Sequence, residues 1–184
     1  MPEGILKADQ ACPIGLSQEE QDLFWMQYAY RLAEKAEFQG EIPVGAVIVL
    51  GGKLIAEGWN QSIQSHDPTA HAEMIALKNA GQAIENYRLI DCTLYVTLEP
   101  CPMCASAMVH ARVARVVYAA PDLKTGAAGS VFNLVANENL NHKLEIVSGV
   151  LQADCSMKLS GFFKSRRAYH KEIKRQLKAG LIDS

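Results

Sequence analysis

The stretch Thr93 to Cys104, TLYVTLEPCPMC, decides the fold. Its first six residues are β-branched, aromatic or leucine, the composition of a buried strand. Pro100 ends the run, and Pro102 suits the first turn of a helix, where a missing N–H would be unpaired in any case. The helix so opened runs through His110, and Arg115 to Ala119 (RVVYA) supplies the next strand. Strand, helix and strand in this order form a crossover unit of a parallel sheet.

Working outward, Ser17 and Glu20 form a capping box, and Trp25, Tyr28, Ala29, Leu32 and Ala36 follow at helical spacing, which predicts a helix from Gln18 to Gln39. Val44 to Leu50 and Lys53 to Trp59 are β-type runs separated by Gly51-Gly52, the pair suited to a tight antiparallel turn. After a polar loop through Asp67-Pro68-Thr69, His71 to Ala80 reads as a helix stopped by Gly81. Downstream come a Gly-rich loop (PDLKTGAAGS), an irregular stretch to His142, a short strand from Leu144 to Val147 and a helix from Gln152. The expected fold is a three-layer α/β/α domain on a mixed, mostly parallel five-stranded sheet, entered through an antiparallel hairpin. Residues 1–16 are expected to be a loose tail, and residues 17–184 one domain with a basic C-terminal helix.

A chain of 184 residues fits one domain, and at that size folding buries roughly 70% of the surface of the unfolded chain. Apolar residues at 49% and charged residues at 21% exclude a disordered or coiled-coil chain. The apolar stretch Ile42 to Leu50 contains Pro43 and Gly45 and falls far short of the roughly 20 residues that span a bilayer. The first residues carry Glu3, Lys7 and Asp9 and lack the apolar core of a secretory signal, so a cytoplasmic protein with no membrane partner is expected. Five cysteines, two of them in Cys101-Pro102-Met103-Cys104, suggest metal or redox work rather than disulfides in such a compartment. The net charge of −2 hides a local excess: Lys158 to Lys178 holds eight Lys or Arg and one acid, Glu172.

A catalytic zinc takes three protein ligands and leaves a fourth position to water. Cys101 and Cys104, three apart at a helix start, share a face on which the helix dipole favours thiolates. His71 opens a helix by the same strand, loop and helix arrangement, so the two helix starts are expected to meet at the carboxyl ends of adjacent parallel strands. On an ideal helix Glu73 would be turned roughly 200° from His71. Glu73 is therefore read as a proton shuttle acting on the water, with His71 in an irregular first turn. A thioredoxin-like redox pair or a four-ligand structural zinc are the alternatives. Cys12, Cys92 and Cys155 read as packing residues or spectators, and His66, His110, His142 and His170 receive no metal role.

His71-Ala72-Glu73 with Pro100-Cys101-Pro102-Met103-Cys104 resembles the signature of the cytidine deaminase superfamily. The stretches EIPVGAVIV, AEGWN, HDPTAHAE, NYRLIDCTLYVTLEPCPMC and KTGAAGS extend the likeness to the bacterial tRNA-specific adenosine deaminases, from about Gln18 to Arg175. The resemblance implies a homodimer holding one Zn2+ per subunit, with His71, Cys101 and Cys104 as metal ligands. Its reaction would be hydrolytic deamination of adenosine to inosine at the wobble position of a tRNA. Glu73 would carry protons between the zinc-bound water and the base. Asn60 matches the family's base- or ribose-contacting asparagine, and Ala72 the residue whose backbone helps hold the base.

An extruded base needs a surface for its flanking nucleotides. Phe162, Phe163, Arg166 and Arg167 offer stacking and cationic groups together for an anticodon stem-loop, with one Phe expected to be buried. Asp122 would accept a hydrogen bond from an RNA 2′-hydroxyl, or simply belong to a solvated loop. Two other functions fit the same residues: deamination of free cytosine, cytidine or guanine, and a non-enzymatic zinc-stabilised RNA-binding module.

Overall fold

The computed structural model describes residues 11–179. Helix α1 (Gln18–Phe38) starts on the expected capping box: the Glu20 N–H donates to Ser17 Oγ and the Ser17 N–H to Glu20 Oε2. Its stripe of Trp25, Tyr28, Ala29, Leu32 and Ala36 is buried. Strands β1 (Gly45–Leu50) and β2 (Lys53–Trp59) form the antiparallel hairpin, turning through Gly51 and Gly52 at φ of 57° and 72°. Helix α2 (Ala72–Ala83), strand β3 (Thr93–Leu98), helix α3 (Pro102–His110), strand β4 (Arg115–Ala120), strand β5 (Glu145–Ser148) and helix α4 (Gln152–Lys178) follow.

The sheet order is β2-β1-β3-β4-β5. β1 pairs antiparallel with both β2 and β3, whereas β3–β4 and β4–β5 are parallel, so β1 alone runs against the other four. This differs in one respect from the expectation that the strands feeding the two metal-bearing helices are adjacent: β1 lies between β2 and β3. The residues explain the order. β1 (GAVIVL) is apolar throughout and buried on both faces, as an interior strand must be, whereas β2 alternates buried and half-exposed positions and takes the edge. Because β2 and β3 still point the same way, their carboxyl ends open on one edge of the sheet.

α1 lies on one face of the sheet, where Tyr28 Oη donates to Glu57 and Tyr95 Oη to Asp22. α4 flanks it, tied by Lys158 Nζ to Glu37 Oε2 at 2.9 Å. α2 packs on the other face with α3 beside it. Asp22, buried on α1, receives both terminal nitrogens of Arg115 at 2.7 Å, and Arg115 also reaches Glu145. That network joins α1 to β3, β4 and β5.

Most element ends fall within a residue of expectation, and two boundaries differ by more. α2 continues through Gly81 to Ala83, and the left-handed residue beyond its end is Glu85 at φ 53°, not a glycine. Residues 1–10 of the expected tail lie outside the described residues, but Ala11 bridges to Lys53 and the Cys12 N–H donates to the Gly52 carbonyl at 2.9 Å. The last part of that segment is therefore attached to the hairpin. Among the described residues no helix is long and apolar enough to cross a membrane.

A Cβ at Gly58 would stand 2.2 Å from the Ala72 carbonyl oxygen and 2.7 Å from the Ala76 nitrogen. Gly58→Ala is therefore expected to push the start of α2 off the sheet and destabilise the protein by about 1–3 kcal/mol. Urea denaturation checks this, and an unchanged midpoint would show that the close approach is not needed.

Candidate functional site

His71 is the N-cap of α2, with extended backbone at φ −76° and ψ 153°. It stands outside the helix, so the 200° separation of an ideal helix does not apply and its ring and Glu73 can serve one site. Cys101 is likewise the N-cap of α3, extended at φ −73° and ψ 170°, with Pro102 behind it and Cys104 one turn on. Neither N-cap side chain caps its helix. Both are turned to a different task.

That task is legible in three distances. His71 Nδ1 lies 3.7 Å from Cys101 Sγ and 3.6 Å from Cys104 Sγ, and the two sulfurs are 3.7 Å apart. A tetrahedral zinc at its usual bond lengths separates two sulfurs by about 3.8 Å, and a sulfur from a nitrogen by about 3.5–3.6 Å. The triangle therefore has the edges of a zinc site with one corner left over. Among the described residues this is the one such cluster of donors. Three ligands leave a position for water, which matches a catalytic site and not a closed structural one.

Charge supports the same assignment. The Cys101 thiol is pushed down to about 4, chiefly by the hydrogen bond from the Cys104 thiol and, against burial, by that with His71. Cys104 is pushed up by donating to Cys101 and by its burial, with the Glu73 charge adding to both. His71 is raised, first by its hydrogen bond with Cys101 and then by the charges of Glu73 and Cys101. Without metal the cluster keeps protons that a dication would displace. Glu73 is buried, and burial raises its carboxyl above the ordinary range.

The donors open into a cavity of about 590 Å³. Of the residues singled out in the sequence, Asn60, His71, Glu73, Cys101, Asp122, Phe163 and Arg167 line it. Cys104 lies fully buried beside it. The Ala72 N–H donates to Asn60 Oδ1 at 2.9 Å, which leaves the Asn60 amide NH2 as the group that residue offers a ligand. Asp122 shapes its own turn: one carboxylate oxygen accepts the N–H groups of Lys124 and Thr125, the other the Thr125 hydroxyl. Of the paired phenylalanines, Phe162 is buried at 8% and Phe163 exposed at 41%. Arg166 does not reach this cavity; it lines a separate groove with Glu37, Phe162 and Tyr169. Leu159 and Ser160 of α4 also face the site and were not singled out in the sequence. Nor was Glu99, a carboxylate 2% exposed just beyond β3; its signal was an acid directly after a buried strand.

Residues 19–120 match the cytidine and deoxycytidylate deaminase zinc-binding region. The chain is 54% identical over 167 residues to a tRNA-specific adenosine deaminase of Haemophilus influenzae, covering 90% of this chain and 96% of that one. It resembles a solved structure from work on A-to-I editing by tRNA:A34 deaminases at the wobble position of transfer RNA, with a TM-score of 0.71 and 38% identity over 74% of this chain and 99% of that one. It also resembles a guanine deaminase from Bacillus subtilis, at a TM-score of 0.54 and 42% identity over 64% of this chain and 71% of that one.

Removing a metal ligand and removing the buried acid are expected to differ. His71→Ala should purify without zinc and with a lowered Tm, because two helix starts lose their tie. Glu73→Ala should keep its zinc. Elemental analysis checks both, and zinc lost with Glu73 would make that residue a ligand.

Proposed function

The chain belongs to the tRNA-specific adenosine deaminases of the cytidine and deoxycytidylate deaminase family, and on that premise we propose that it hydrolyses the wobble adenosine of a tRNA to inosine. The observation that carries the reading is a single cavity in which the His71, Cys101 and Cys104 cluster meets Phe163 and Arg167 of the basic helix α4. A free base needs only the inner part of such a cavity. A nucleotide within a strand also needs an outer wall that stacks bases and meets phosphates.

His71, Cys101 and Cys104 would hold the zinc. When bound, the metal supplies a Lewis acid that lowers the pKa of a water to about 7. Glu73, buried beside the donors, takes a proton from the attacking water and hands it to the departing amine. The water oxygen bonds to C6 of the purine, the bond from C6 to its amino nitrogen breaks, and ammonia leaves. The raised pKa of Glu73 suits both halves of that transfer. Asn60 offers its amide NH2 to the base or ribose, and the Asn60–Ala72 hydrogen bond fixes its orientation.

Around this centre, Phe163 stacks a flanking base and Arg167 meets a phosphate. Arg166 and Phe162 support the RNA from the adjoining groove, where the guanidinium lies 6.0 Å from the ring centre. The Asp122 oxygen that accepts from Thr125 keeps a second lone pair, which suits a ribose 2′-hydroxyl. The protein acts as a homodimer in the cytoplasm, where its substrate is found.

Deamination of a free base is the second reading, favoured by the likeness to guanine deaminase. Inosine formation in an anticodon stem-loop, measured against ammonia release from free guanine and cytosine, separates the two. Glu73→Gln should abolish inosine formation while retaining zinc. Inosine at the wild-type rate from that variant would remove Glu73 from the chemistry.

Salt dependence tests the outer wall. Arg167, Lys171 and Lys174 are exposed and follow one another along α4 from the cavity outward. Neutralising all three should flatten the slope of log affinity against log salt by about 2, since each single-strand phosphate contact contributes about 0.7. Dimer mass and zinc content should not change. An unchanged slope would move the RNA surface elsewhere.

A further inference from the structure

The segment 121–130 that follows β4 brings Leu123, Lys124 and Thr125 to the cavity of the metal donors. It has little regular structure of its own, so its position needs an external cause. Glu99 supplies one. Its Oε2 accepts the Asp122 N–H at 2.9 Å, and its Oε1 accepts those of Ala128 and Ser130, each at 3.0 Å. Three amides spread over nine residues of loop converge on one carboxylate that is 2% exposed. The backbone adds two ties at the same place: the Glu99 N–H donates to the Ala120 carbonyl and the Ala127 N–H to the Pro100 carbonyl, both at 2.8 Å.

The fit is close enough to dictate a second residue. A Cβ at Gly126 would stand 2.4 Å from both Glu99 Cδ and Oε2 and 2.6 Å from the Asp122 carbonyl oxygen. Only glycine lets the loop close over the carboxylate. Glu99 also stands two residues before Cys101, across Pro100. One side chain thereby sets the distance between a metal ligand and the opposite substrate wall, where Asp122 and Thr125 complete a turn of their own.

Resting on the deaminase reading above, we infer that Glu99 is a positioning residue for the RNA substrate. It holds the loop 121–130 at the separation from the metal donors that admits a nucleotide still joined to its strand. Glu99 also lines the cavity, but its two oxygens are turned to the loop, where they accept three amides. Replacing it with glutamine turns one acceptor into a donor facing an N–H group, which repels the loop while preserving side-chain size.

The test uses the zinc-loaded full chain with an anticodon stem-loop as substrate. For Glu99→Gln, KM should rise about tenfold or more while kcat stays within about threefold. Amide exchange should accelerate over the loop 121–130 and stay unchanged in α1. Gly126→Ala, which leaves the carboxylate intact and pushes on it from the loop side, should give the same pattern if Glu99→Gln does not fold. A merely structural role would lower kcat through a smaller active fraction and leave KM alone, and that result overturns the proposal. So do loss of zinc from folded Glu99→Gln and wild-type exchange rates in the loop of both variants. If the wild-type chain itself makes no inosine in the stem-loop, the functional reading fails. The exchange measurement then reports separately whether Glu99 holds the loop.

Discussion

Three atoms from two separate parts of the chain have to form a triangle with edges of 3.6 to 3.7 Å, and most of the fold serves to keep them there. Each helix that contributes begins at the carboxyl end of a strand, and His71 and Cys101 contribute from N-caps, where the backbone is extended and the side chain is released from helical spacing, while Cys104 follows within the first turn of α3. β1 runs between β2 and β3 and is paired to both, so it fixes the two helix starts relative to each other. The close approach of Gly58 to the first turn of α2 then removes the remaining play between that helix and the sheet. A metal held this way depends on backbone register as much as on the ligands themselves.

Four buried acids among the described residues show how the same chemistry is put to different uses. Asp22 is met by the paired nitrogens of Arg115 and a tyrosine hydroxyl, and it joins the helix layer to the strands. Glu41 accepts the N–H groups of Ile63 and Gln64, and Glu99 those of three loop residues; each orders a segment that the sheet does not reach. Glu73 is the exception. Burial dominates its surroundings and holds its proton more tightly than an ordinary carboxylate would. It is also the one of the four that stands beside the metal donors.

Local signals were legible in the sequence because their partners are near in the chain. Ser17 and Glu20 mark the start of α1 three residues apart, Gly51-Gly52 marks the hairpin, and Cys101 with Cys104 marks a helix start, with Cys101 at the extended N-cap and not on the helical face expected of it. The metal set was readable because a ligand triad has a restricted vocabulary of residues and spacings. What could not be read has partners far away. Asp22 meets Arg115 across 93 positions, and Glu99 meets Ser130 across 31, so no periodicity records either bond. The insertion of β1 between β2 and β3 was hidden for a related reason: the burial of β1 on both faces is written in GAVIVL, but not which strand covers its far edge. Arg166 and Arg167, neighbours in sequence, enter different grooves because α4 turns about 100° per residue against a fixed neighbour.

The metal donors and the outer rim of their cavity rest on parts of the molecule with different attachments. The metal ligands and Glu73 stand at helix starts packed against the sheet, whereas the outer wall comes from a loop held by Glu99 and from a helix with few buried residues. α4 is fastened near its beginning by Cys155, Leu159 and Phe162, and by Lys158, whose ammonium reaches Glu37 and Glu34 and lies 5.0 Å from the Tyr30 ring centre. Beyond Phe163 no residue of the helix is fully buried, and it carries the run of cations. Its outer half is therefore held to the rest of the protein by no fully buried side chain, and the attraction of its cations for any anion weakens with salt. The triangle of donors and the run of cations thus rest on different attachments, so a substitution beyond Phe163 leaves the packing that holds the donors as it is.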